Sequence, residues 1–276
     1  VPSHVYTANE FVYDTPKNLC EKSVVISCSH SGNTPETVAA TKLARSKGAI
    51  TICLSNLEGS PLWEAAEYPV HYDWGKDVSD SDKNKGILYG LLFKLLGVLA
   101  ADAKWDICFK ELEKLTELST KAKEQYDAQA KQWAKDNKRK KTIYTIGSGI
   151  NYGEVYSTAM CWFMEMQWIH SSSIHSGEFF HGPFEITDKE VPFVLQVSEG
   201  TNRPLDERAL KFLKTYAKRI EVIDAKDLGL STIDASVVDY FNHSLFTNVY
   251  PVYNKALAEE RQHPLTTRRY MWKVEY

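Results

Sequence analysis

The chain has 276 residues, enough for two compact lobes or one large domain with a substantial core. Hydrophobic residues make up 43% and charged residues 25%, the proportions of a soluble globular protein, and a net charge of −3 favours neither a nucleic-acid nor a membrane-surface partner. No apolar run reaches the roughly 20 residues that span a bilayer, no signal peptide is expected, and five dispersed cysteines without a CxxC pair predict reduced thiols in a cytoplasmic protein rather than disulfides or zinc.

The first clear element is "SVVISCS" (Ser23–Ser29), a β-branched run bounded by polar residues and so a buried strand. A loop "HSGNTPET" leads into a helix with Pro35 near its first turn and Gly48 as its stop. The strand "AITICLSN", the short helix "SPLWEAAE" and the strand "YPVHYDW" follow. The run Ile87–Ala100, too short to cross a membrane and carrying Lys94, predicts a core helix within Lys85–Ala101. Phe109, Leu112, Leu115 and Leu118 then share one face of a charged helix, read as a connector. It ends in the basic run Lys135–Lys141, read as a solvated turn.

The second half repeats the plan of the first. "KTIYTIGSG" (Lys141–Gly149) is a strand ending in a glycine loop, a helix covers Tyr152–Ile169, and "VPFVLQVSEG", "RPLDERALKFLKTYAK" and "RIEVIDA" read as strand, helix and strand. Strands alternating with helices imply parallel sheets flanked by helices. The expected architecture is therefore α/β with two similar lobes: residues 1–104, a helical connector 105–140, a second lobe 141–249, and a tail 250–276 rich in arginine and aromatics.

Three places carry the chemistry. "SCSHSGNTPET" gathers the hydroxyls of Ser29, Ser31 and Thr34 and the amides of Gly32 and Asn33 at a strand-to-helix turn, which suits a phosphate or carboxylate. The same residues also fit an ordinary N-cap, with Thr34 capping and Glu36 in the first turn. No Gly-Lys-Ser/Thr follows, so the loop is not a nucleotide P-loop. On the helix from Tyr152, the apolar face Val155, Ala159, Trp162, Met166 and Ile169 leaves Glu165 beside Thr158, Cys161 and Trp168. Burial there makes a carboxylate a competent base near neutrality, while a salt-bridged structural glutamate fits the pattern equally well. His181 stands before Gly182-Pro183, where a helix cannot continue, and is expected to project as a titrating imidazole. His170 and His175 read as structural, and their spacing offers no metal site.

Ser-x-Ser-Gly-x-Thr-x-Glu after a strand resembles the sugar-isomerase (SIS) domain, and the two-lobed plan resembles the isomerase part of glucosamine-6-phosphate synthase. The blocks "MEMQWIHS", "IHSGEFFHGPFEITD", "DYFNHSLF", "NVYPVYN" and "HPLTTRRYMWKVEY" resemble more closely the deglycases of phosphorylated Amadori products, those of fructoselysine 6-phosphate and, above all, of 6-phosphofructose-aspartate. The resemblance implies that Ser29, Ser31, Gly32, Asn33 and Thr34 hold the phosphate of a phosphosugar. It assigns Glu165 to proton transfer between C1 and C2, and His181, reaching in from the partner of a homodimer, to ring opening. Glu178 and Glu185 match motif positions as supporting residues.

The family's catalytic lysine has no clean match; the tail offers Arg268, Arg269 or Lys273 in its place as substrate-binding candidates, and Arg268, Arg269 or Arg203 stand as clamps for the amino-acid carboxylates. The implied reaction needs no cofactor and no metal. By the same resemblance the first lobe is expected to lack an N-terminal strand-loop unit. The alternatives are a phosphosugar-binding regulator, which needs the serine loop but not Glu165 and His181, and an aldose–ketose isomerase.

Overall fold

The computed structural model describes residues 1–275, so the last residue of the expected tail lies outside the described residues. Two compact units divide the chain, Val1–Leu112 and the residues from Glu113 on.

In the first unit, helix α1 (Ala8–Tyr13) precedes strand β1 (Val24–Cys28), helix α2 (Pro35–Ser46), strand β2 (Ile50–Ser55), helix α3 (Pro61–Ala65) and strand β3 (Tyr68–His71). The three strands are parallel in the order β1-β2-β3. Five of the six residues of β2 are buried, as the central strand of a parallel sheet requires. Phe11 of α1 packs with Ala40, Ala44 and Ala49, so the small side chains of α2 seat it close to its neighbours.

Helix α4 (Asn84–Ala100) has the expected bounds within a residue but not the expected burial. Phe93 is buried, most of its apolar residues are half-buried, and Val98 and Leu99 are exposed, although α5 (Lys104–Glu111) packs against it through Trp105. A helix apolar all round has no single face to hide, so periodicity could not show how much of it one neighbour covers. No helix among the described residues is long and apolar enough to cross a membrane.

The stretch read as a connector divides between the units: α5 lies in the first, and α6 (Leu115–Asn137) in the second. The second sheet holds β4 (Tyr144–Gly147), β5 (Ser173–His175), β6 (Pro192–Val197) and β7 (Arg219–Asp224), all parallel, in the order β5-β4-β6-β7. Helix α7 (Tyr152–Ser157), helix α8 (Arg203–Tyr216) and helix α9 (Asn242–Arg261) complete this unit. Its core joins Ile146, Phe179, Phe193, Leu195 and Val197 with Ala209 and Leu213 of α8.

Two expected boundaries move. The tail expected from residue 250 starts later, because α9 continues through Pro251 to Arg261. The helix expected over Tyr152–Ile169 is α-helical only to Ser157 and π-helical from Thr158 to Met166. Val155, Ala159, Phe163 and Gln167 are buried in steps of four, and Trp162 and Met166 are only half-buried. A π turn takes more residues than 3.6, which removes the step of three that an α-helical reading inserts.

Candidate active site

Ser29 follows β1 directly and is buried, its hydroxyl 2.8 Å from that of Thr34. Thr34 occupies the N-cap position of α2, but its side chain makes no cap bond to the helix. The N-cap alternative is therefore not what the loop builds: Ser29 takes the Thr34 hydroxyl and leaves the helix end without that acceptor. Ser31 accepts the Asn33 amide at 3.2 Å, and both residues are exposed.

Gly32 has a φ of +64°, and a Cβ there would overlap the Ser60 side chain. Its carbonyl accepts the Leu62 amide at 2.9 Å, which ties the loop to α3. His30, passed over in the sequence, holds the other side of the loop. Its Nδ1 lies 2.9 Å from the Tyr72 hydroxyl, and its ring meets Trp74 edge-on at 5.2 Å. Burial pushes the Tyr72 hydroxyl up to about 12, so it stays protonated. The only signal for His30 was its place inside the serine motif.

Glu165 lies in the last turn of the π segment, its side chain 26% exposed. Its wall is not purely apolar, as the helix pattern suggested. Arg268 Nη2 sits 2.8 Å from Glu165 Oε1, on a side chain only 10% exposed. Arg268 Nη1 also donates to the carbonyls of Leu265 at 2.7 Å and Thr267 at 3.0 Å.

The residues after α9 reach this place because the end of the π segment is built to receive them. The Gln167 side-chain amide donates to the His263 carbonyl at 2.9 Å, and Arg261 Nη2 to the Gln167 carbonyl at 3.2 Å. Trp168, at a φ of +54°, turns its ring edge-to-face with His263 at 4.6 Å, and the Arg269 guanidinium covers the same indole at 4.2 Å. Burial, with Arg261 nearby, holds the His263 imidazole below its usual 6.5, which keeps it neutral against Trp168.

The expected clamps and Lys273 are therefore engaged within the chain. Arg268 pairs with Glu165, Arg269 stacks on Trp168, and Lys273 Nζ donates to the Arg268 carbonyl at 2.6 Å. Arg203 is held bidentately by Asp224, both bonds 2.8 Å, and also by Glu207, so it is not a free cation.

"GEFFHGP" has two faces. Phe179 is fully buried, and Phe180 and Phe184 pack edge-on against Phe212. His181 points outward with a side chain 69% exposed, its Nδ1 3.9 Å from Glu178 Oε2. Gly182 follows at a φ of +142°, a conformation left to glycine, and Pro183 opens the next short turn. Glu178 and Glu185 are both exposed. No hydrogen bond or ion pair joins His181 to Glu165 among the described residues. His175 accepts the Gly177 amide at 3.1 Å and packs edge-on against Tyr152, a structural role. Among the described residues no three His, Cys, Asp or Glu side chains converge as metal ligands would.

A family profile described as the SIS domain matches residues 1–91. Across its whole length the chain is 48% identical to the fructosamine deglycase FrlB of Bacillus subtilis, covering 84% of that protein. The chain belongs to the SIS-domain family. This SIS chain is 28% identical over 224 residues to the fructoselysine 6-phosphate deglycase of Escherichia coli, which spans 80% of the chain and 64% of that relative. A Bacillus subtilis crystal structure, provisionally described as a phosphosugar isomerase, superposes at a TM-score of 0.95. It is 48% identical, over 98% of the SIS chain and 83% of its own. The SIS chain is an enzyme, and its parallel sheets flanked by helices are those of its SIS neighbours.

Proposed function

We propose that this SIS enzyme is a deglycase. It would cleave a 6-phosphorylated fructosyl-amino acid, with 6-phosphofructose-aspartate as the specific substrate, to glucose 6-phosphate and the free amino acid. The observation that carries the reading is the 48% identity, across the full chain, to a protein named a fructosamine deglycase. The serine loop supports it chemically: hydroxyls gathered at an uncapped helix end receive a phosphate without a lysine.

In the proposed reaction the Ser29–Thr34 loop holds the phosphate and His181 carries the proton that opens the sugar ring. Glu165 removes a proton from C1, and the electron pair moves to form a 1,2-enaminol. Returning the proton at C2 leaves an imine at C1; water adds there, and the amine departs as the free amino acid. The substrate's own carbonyl acidifies C1, so no redox step is involved. Arg268 holds the Glu165 carboxylate in place. His181, so far exposed in its own chain, acts in the partner subunit of a homodimer.

The direct test is glucose 6-phosphate release from 6-phosphofructose-aspartate by the wild type, Glu165→Gln and His181→Asn. Each variant is expected to lose at least about 10²-fold in kcat, the usual contribution of an acid–base group. Wild-type rates in both variants would remove these residues from the chemistry. Turnover of another fructosyl-amino acid 6-phosphate in preference to the aspartate conjugate would keep the reaction and change the substrate.

A further inference from the structure

A second set of hydroxyls converges in the Glu113-onward unit, and on a different partner. Ser148, Ser176 and Ser198 each stand one position beyond the carboxyl end of a strand: β4, β5 and β6. All three donate to Asp206, a fully buried carboxylate in the first turn of α8. Ser148 Oγ is 2.7 Å and Ser176 Oγ 2.6 Å from Oδ1; the Ser198 amide is 3.0 Å from Oδ2, which also takes the Ser198 hydroxyl. Four donors meet the four acceptor positions of one carboxylate. A charge this deeply buried persists only where it is so satisfied.

The loop after β6 follows the same plan as the loop after β1. Each has a serine, a glycine at positive φ (Gly32 at +64°, Gly200 at +102°) and a proline in the first helical turn (Pro35, Pro204). Among the described residues no carboxylate bonds the hydroxyls of the first loop, which pair with each other and with the Asn33 amide; the second loop collects its hydroxyl around Asp206.

Ser176 also begins the segment that carries His181, and backbone hydrogen bonds tie that segment down: Ser176 to β4, and His181 through Glu178 to His175, the residue before Ser176. The Ser176 amide donates to Gly147 at 2.9 Å, Glu178 to the His175 carbonyl at 2.8 Å, and His181 to the Glu178 carbonyl at 2.9 Å. Phe179, buried between them, leaves little slack. The anchor of the His181 turn, His175, is therefore the residue bonded covalently to Ser176.

We infer that Asp206 is a positioning residue: a built-in anion that, through Ser176, sets the place of the His181 imidazole. The inference rests on the reading of His181 as a proton carrier.

The test uses the full chain with Ser176→Ala, Ser176→Thr, His181→Asn and Asp206→Gly. Ser176→Ala is expected to lower kcat by about tenfold with KM within about twofold, as a misplaced acid–base group does. It is also expected to shift the imidazole NMR signals of His181, assigned by their loss in His181→Asn. Ser176→Thr keeps the hydroxyl and recovers most of the rate. In Asp206→Gly, added formate fills the vacated carboxylate position and brings back both the melting temperature and the His181 signals.

Unchanged kcat and unchanged His181 signals in a folded Ser176→Ala would overturn the inference, leaving Asp206 a purely structural anion. So would formate that restores melting of Asp206→Gly but not the His181 signals. If His181→Asn stays fully active, the proton-carrier reading is what fails, and the NMR signals still decide whether Asp206 positions the segment.

Discussion

At the scale of single residues, the pair Glu165–Arg268 turns an ambiguous glutamate into one with a defined environment. The helix pattern alone left a base and a salt-bridged structural residue equally open; the 2.8 Å contact shows that the carboxylate is paired, and paired with a residue of the tail. An arginine that holds a base and an arginine that clamps substrate differ in their kinetics. Arg268→Gln is expected to lower kcat about tenfold, the equivalent of about 1.4 kcal/mol, while KM stays within about twofold. Arg268→Lys keeps the charge and should fall between. A raised KM at unchanged kcat would return Arg268 to the role of clamp.

At the scale of elements, the π segment and the end of α9 place Glu165, and both were hidden for the same reason. No proline or glycine marks positions 154 to 168, so an α-helix is the natural reading, and nothing local signals the extra residue per turn. Likewise Pro251 suggests a helix end, yet α9 runs through it because tertiary packing holds Tyr250, Tyr253 and Leu257 in the core.

The same helix supplies Tyr253, which donates to Glu221 of β7, and Gln129 of α6 donates to the same oxygen at 2.7 Å. Burial raises the Glu221 carboxyl above its ordinary 4.5 despite those two donors. Folding thus favours its protonated form: the stability it contributes is complete below that ordinary value and is lost as pH rises through the raised one. Glu221→Gln, a neutral isostere, should therefore melt higher than the wild type at pH 7, with the difference closing towards pH 4. A variant that melts lower than the wild type at pH 7 would show that the charged hydrogen bonds outweigh the burial.

At the scale of the whole molecule, two parallel sheets follow from one repeated sequence plan, and the repeat explains why both carry a Ser-Gly-Pro loop at a strand end. The exposed His181 raises the question of which chain uses it. If each site takes Glu165 from one chain and His181 from the other, mixing Glu165→Gln with His181→Asn restores one intact site per mixed dimer. Random exchange at equal amounts then recovers about a quarter of wild-type activity from two inactive parents. Parents that recover nothing after verified subunit exchange would place both residues in one chain.

The sequence by itself determined the alternation of strands and helices, the parallel sheets and the serine loop, because each depends on period, turn residues and spacing along a short stretch. It also singled out Glu165 and His181, since a carboxylate among methionines and a histidine before Gly-Pro are local anomalies. Only the tertiary structure decided what surrounds them. Arg268 is 103 positions from Glu165, and Ser148 is 58 from Asp206; no periodicity reaches that far. Whether a long apolar helix is covered, or a charged side chain finds a partner, depends on which distant segment the fold brings against it.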